Sequence, residues 1–170
     1  MTPVSGKPEV VWSPLKMPKI ARTLVGFGFL WMSAWATFGA LLGARLNQAL
    51  LTDDAAWLKS VNREIFRSAH AHMNGMALVL VGMGLSYTAA RRRASERTLS
   101  VCSASTLGAT VVFGTGLMLE AFFPPERGSI PWASALTAVG GVVHLLATGL
   151  WGVLFLGRGP APAEQVNKNV

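Results

Sequence analysis

The chain has 170 residues, of which 51% are hydrophobic and 14% charged, with 18 glycines and a formal net charge of +7. That composition leaves too few polar groups to cover a soluble globule of this size and points to a membrane protein. The basic balance does not indicate nucleic acid, because the cations flank apolar runs instead of forming a basic and aromatic surface. The single cysteine, Cys102, excludes an internal disulfide and any Cys-based zinc or redox motif. It reads as a small packing residue.

Residues 1–18 and 158–170 are rich in Pro, Gly, Lys and Asn, lack helical periodicity, and are expected to be mobile tails. Between them, 19–157 is expected to form one domain, an all-α four-transmembrane-helix bundle. Four apolar runs, Thr23–Leu42, Met73–Ala90, Leu99–Phe123 and Trp132–Leu156, are each close to the roughly 20 residues that cross hydrocarbon. The first run is too long for a signal peptide and has no small-residue cleavage site after it.

Lys7, Lys16, Lys19 and Arg22 precede the first span, Arg91–Arg93 and Arg97 fill the second connection, and Arg158 and Lys168 follow the fourth. By the positive-inside rule all three clusters are cytoplasmic, so both termini are expected there. The expected location is a bacterial inner membrane, with the loops after spans one and three outside. Glycines recur in every span, as close helix contact in lipid requires. No inverted repeat of a transporter appears.

The connection "DDAAWLKSVNREIFRSAH" carries Trp57, Leu58, Val61 and Ile65 at helical spacing after Asp54, a suitable N-cap. The second helix is therefore expected to start well outside the bilayer. If it is unbroken, Arg63, Arg67, His70 and Asn74 form one stripe, with His72 turned about 160–200° from His70. An intramembrane histidine is costly without a partner, which makes it a functional candidate. The bland alternatives are a headgroup position for His72 and a helix-to-helix hydrogen bond for His144 in the fourth span.

Glu120 either reaches the histidine region or is an interfacial carboxylate. In "FFPPERGSIPW" two prolines stop the third span, and Pro131 and Trp132 start the fourth. Arg127 marks that interface. A neutral imidazole on an apolar cavity, with arginines a turn or two away for propionates, meets the needs of a b-type heme. No c-type attachment motif is present.

Two stretches, "AHAHMNGMALVL" and "FFPPERGSIPW", resemble the styrene oxide isomerase family, whose second helix opens on Ala-His and Asn-Gly-Met and whose last turn reads Phe-x-Pro-x-Arg-Gly. The resemblance implies a small trimeric membrane enzyme that binds heme b and rearranges an apolar epoxide to an aldehyde. It implies His70 as iron ligand and Asn74 as the group holding the epoxide oxygen, with His72 the ligand in the other register and Arg63 and Arg67 beside the cofactor. The family's histidine stands six residues before the asparagine, whereas His70 stands four before and His72 two before. Its tyrosine, nine residues before the turn arginine, is replaced here by Met118; the one tyrosine, Tyr87, lies near the other end of its helix.

Two further readings compete with the isomerase. One is a bis-histidine b-type cytochrome using His144 and a second-span histidine. Counted from the cytoplasmic helix ends, His72 stands about 28 Å up and His144 about 20 Å up, which argues against a shared heme. The other is a cofactor-free accessory membrane subunit.

Overall fold

In a computed structural model the chain is all-α. It describes residues 17–123 and 132–156, so the tails and the turn containing Arg127 lie outside the described residues. The helices are α1 (Lys19–Leu51), α2 (Ala55–Leu58), α3 (Val61–Ala90), α4 (Glu96–Phe122) and α5 (Trp132–Leu156). Four of them, all but α2, are long and apolar enough to cross a membrane. These are the four expected spans, with α1 extended at both ends and α3 by twelve residues at its start. Together they define a multi-pass integral membrane protein.

α3 does not run back to Asp54. The Asp54 carboxylate caps the separate one-turn α2 by accepting from the Trp57 N–H at 3.1 Å, and the chain breaks at Lys59. Ser60 then starts α3 by accepting from the Arg63 N–H at 3.2 Å. Two caps six residues apart compete, and the second terminates what apolar spacing alone reads as continuous. Arg63 to Asn74 all lie after the break, so the stripe is intact.

Asp54 also binds Arg45 at 2.7 Å, and the Arg45 guanidinium lies 5.0 Å from the Trp57 ring centre. The Trp57 N–H first and then Arg45 hold the Asp54 carboxyl below its ordinary value of 3.8. A lowered carboxyl contributes its stabilisation above the ordinary value and loses it as pH falls through the lowered one. The α1–α2 connection is therefore tied at neutral pH.

α1 packs on α3, α3 on α4 and α4 on α5, with only slight α1–α4 and α3–α5 contact. α3 and α4 are thus the central helices, and the flanks of α1 and α5 present Leu30, Leu41, Leu145 and Leu146 outward. Lipid is a suitable solvent for these side chains. Tyr87, Leu24, Leu80 and Leu99, at the bundle end that holds the start of α1, form one buried cluster, which includes Cys102 as a packing residue. Tyr87 is fully buried, donates to Glu96 at 3.2 Å and stacks on Trp151, so it has a structural role at that end.

Close approach rests on some of the glycines only. A Cβ on Gly28 would lie 2.9 Å from the Ala77 carbonyl, and one on Gly84 would lie 2.8 Å from the Ala21 carbonyl. Each helix thus offers a glycine to the backbone of the other. Gly26, Gly75, Gly82, Gly108, Gly149 and Gly152 face open space, so they do not serve as helix contacts within the chain. Gly84→Val should destabilise by about 1–3 kcal/mol through overpacking, while Gly82→Val should change little. Thermal melting of the detergent-solubilised variants separates the two, and equal melting would remove the close-packing account.

Candidate functional site

α3 sends its polar groups to two sides. On the α1 side, the His70 ring lies against Gly39, where a Cβ would overlap the imidazole. Its Nδ1 is 2.8 Å from the Trp35 carbonyl. Gly39 is four residues after Trp35, so its N–H is the helical donor to that same oxygen. A carbonyl has two lone pairs, and the missing side chain at Gly39 opens the second one to His70.

The acceptor settles the tautomer. A carbonyl only accepts, so His70 Nδ1 carries a proton, and in the neutral ring the lone pair is on Nε2. Asn74 donates from Nδ2 to the His70 carbonyl at 2.8 Å and lies 3.2 Å from Nδ1. With Nδ1 protonated the second contact is packing between two donors. One Asn74 N–H is thereby used, and one is left.

Arg63 and Arg67 line one groove of about 260 Å³ together with Gly39, Gly43, Leu42 and Trp57. Gly39 connects this groove to the His70 ring. The structure therefore brings together the four residues expected on one stripe. Both arginines pair with Glu64, Arg67 at 2.8 Å, and Arg63 through its adjacent guanidinium. An anionic ligand in the groove competes with Glu64 for them.

His72 points the other way. Its Nδ1 is 2.8 Å from the Ser68 carbonyl and its ring lies 5.8 Å from Phe113. It is exposed, and it lines a groove of about 380 Å³ with Gly75, Met76 and His144. His144 is buried, with Nδ1 3.3 Å from Thr110 Oγ1. The Thr110 hydroxyl donates to the Thr106 carbonyl at 2.8 Å, so it accepts from His144, which is the expected helix-to-helix bond.

His72 and His144 lie at nearly the same depth, contrary to the expected offset. α3 is 30 residues long and α5 is 25, so counting from Ala90 and Leu156 exaggerates the offset. From Val61 and Trp132 they are eleven and twelve residues in, about 17 and 18 Å, and they share a groove. Both line that groove on the side of α3 away from His70.

The residues missed by sequence are Trp35 and Gly39. Phe27, Trp31, Trp35 and Phe38 follow one face of α1 with ring centres 5.3–6.1 Å apart, and the row continues to Phe66 and Phe122 at 5.6 and 5.5 Å. The spacing of 4, 4 and 3 was a readable helical signal. The carbonyl between those rings was not. Met118 lines an apolar groove with Trp31, Trp35 and Gly114, and Glu120 is half-buried near the end of α4. Among the described residues no group of three or more His, Cys, Asp or Glu gathers to hold a metal ion.

Comparison with protein-family models, with curated proteins and with solved structures finds no match. The site is thus read from its own geometry. Gly39→Val should push the imidazole off the Trp35 carbonyl, whereas Gly43→Val, with open space around it, should not. In ¹⁵N-histidine NMR the protonated Nδ1 of His70 should disappear in the first variant and persist in the second. Persistence in both would break the account in which Gly39 opens the Trp35 carbonyl to His70.

Proposed function

We propose that this protein is a heme b-dependent membrane isomerase that rearranges a small apolar epoxide, such as styrene oxide, to an aldehyde. The observation that supports it best is His70, with Nδ1 bound to a backbone carbonyl and its ring packed on Gly39, a residue that also lines a groove with two arginines. An imidazole whose far nitrogen donates to a carbonyl is oriented and made more basic, the usual arrangement of a histidine that binds a metal.

The chain's residues fit the group in chemistry. His70 Nε2 would bind the iron, and Arg63 and Arg67 would exchange Glu64 for the propionates in bidentate pairs. Gly39 and Leu42 supply a smooth apolar wall. The groove of about 260 Å³ is small for a whole macrocycle, and the remaining cover would come from a second copy in the homotrimer that the family resemblance implies.

Heme b, when bound, supplies Lewis acidity toward the epoxide oxygen. Asn74 uses its second N–H to hold that oxygen. The C–O bond at the aryl-bearing carbon breaks, hydride moves to that carbon from its neighbour, and the carbonyl forms with no water and no net redox change. The apolar helix faces exclude the water that would otherwise capture the cationic carbon as a diol. Met118, at the position of the family's tyrosine, provides no hydroxyl, so turnover on styrene oxide should be slower than a tyrosine would allow.

A second reading has a specific observation behind it: His72 and His144 share one groove, which suits a bis-histidine b-type cytochrome. A colourless purified protein would favour instead a cofactor-free accessory subunit. Both termini cytoplasmic in a bacterial inner membrane completes the proposal, and it rests on the Lys/Arg asymmetry. Reporter fusions at Val170 and within 124–128 should then report opposite sides.

The variants discriminate. His70→Ala should lose most of its heme by absorption spectrum, while His144→Ala keeps it; loss in His72→Ala and His144→Ala together would transfer the cofactor to the other groove. Asn74→Ala should retain heme and lose about 100-fold in turnover. Carbonyl products from a panel of aryl and alkyl epoxides, followed by gas chromatography, decide the activity. None above a heme-only control would end the isomerase assignment.

A further inference from the structure

The bundle end that carries Lys19 has a groove of about 350 Å³ between α1 and α4, separate from both histidine grooves. Its lining is ordered by polarity. Lys19 and Ser100 stand near the starts of their helices, Ser103 comes one turn deeper on α4, and Leu24, Leu107 and Gly108 line the apolar part. From Ser100 to Gly108 is eight residues, about 12 Å along the helix. The order is cation, hydroxyl, hydrocarbon.

Two groups in it lack partners. Lys19 is exposed and makes no ion pair among the described residues. Ser103 is only 3% exposed, and its Oγ has no hydrogen-bond partner among the described residues. A buried hydroxyl without a partner costs free energy that a ligand acceptor would recover. Thr106 and Thr110, one and two turns further along α4, do satisfy their hydroxyls on the helix carbonyls four residues back. Ser103 differs from them in lining a groove.

We infer that this groove binds one anionic phospholipid, with its phosphate on Lys19, an ester carbonyl accepting from Ser103 Oγ, and an acyl chain lying over Leu24, Leu107 and Gly108. The charge sign selects an anionic headgroup, because the one charged group lining the groove among the described residues is a cation. The depth order selects a lipid over a soluble phosphate, which would leave the apolar half empty. Gly108 faces open space, so the chain can lie directly on the α4 backbone.

Native mass spectrometry of the full-length protein, in non-ionic detergent with equimolar dioleoyl phosphatidylglycerol and phosphatidylcholine, tests this. Phosphatidylglycerol should be retained in about fivefold excess, the contribution of one lysine near an anionic surface. Lys19→Gln should bring the ratio near one, and Arg22→Gln, outside the groove, should leave it unchanged. Ser103→Ala should weaken both lipids by a similar factor, and Gly108→Phe, which obstructs the groove without touching the core, should abolish retention of both. Glycerol phosphate in hundredfold excess should not compete. A wild-type ratio near one, an equal effect of Lys19→Gln and Arg22→Gln, unchanged binding in Ser103→Ala or Gly108→Phe, or competition by glycerol phosphate would each overturn the assignment. None of these outcomes bears on heme or on His70.

Discussion

The rest of the arrangement depends on how closely α1 and α3 approach. In lipid no hydrophobic effect drives two apolar helices together, so backbone proximity and satisfied polar groups must do it. Gly28 and Gly84 bring each backbone against the other's carbonyls, and Gly39 extends the contact outward to His70. The His70 to Trp35 hydrogen bond is possible only at that separation. A neutral imidazole in an apolar helix is thereby satisfied at one nitrogen without any other side chain.

The same contact explains why the polar groups of α3 divide. His70 and Asn74 face α1, while His72, two residues on, must face away, because a helix turns about 200° in two residues. Each histidine satisfies Nδ1 on a carbonyl or hydroxyl: His70 on Trp35, His72 on Ser68, and His144 on Thr110. In the neutral ring each therefore has its lone pair on Nε2. What differs is the company of the ring: Gly39, which also lines the groove of Arg63 and Arg67, for His70, and a groove with a thioether and another imidazole for His72.

Much of this was legible in the sequence because it follows from periodicity. The four spans, the one stripe from Arg63 to Asn74, the opposite face of His72 and the interhelical bond of His144 all come from the 3.6-residue repeat and the cost of polar groups in lipid. The break between α2 and α3 was not legible, since Asp54 and Ser60 are both sound caps and only tertiary contact decides between one helix and two. Asp54 is held back by Arg45 and Trp57, and that favours the short turn. Half of the glycines also misled, because the sequence does not say which face of a span meets a neighbour. Trp35 was invisible as a partner for a different reason: its contribution is a backbone carbonyl, which every residue has.

That carbonyl carries a consequence for the chemistry of the groove. A side-chain acceptor such as a carboxylate would bring a charge into hydrocarbon and would strengthen the anionic character of the imidazole above it. A carbonyl orients the ring without adding charge, so the α1 side of α3 remains neutral down to Asn74 and the charges are confined to Arg63, Arg67 and Glu64 a turn or two outward. Charge thus gathers at one end of the stripe, and an oriented imidazole lies below it. The division follows from one glycine in α1 placed four residues after a tryptophan.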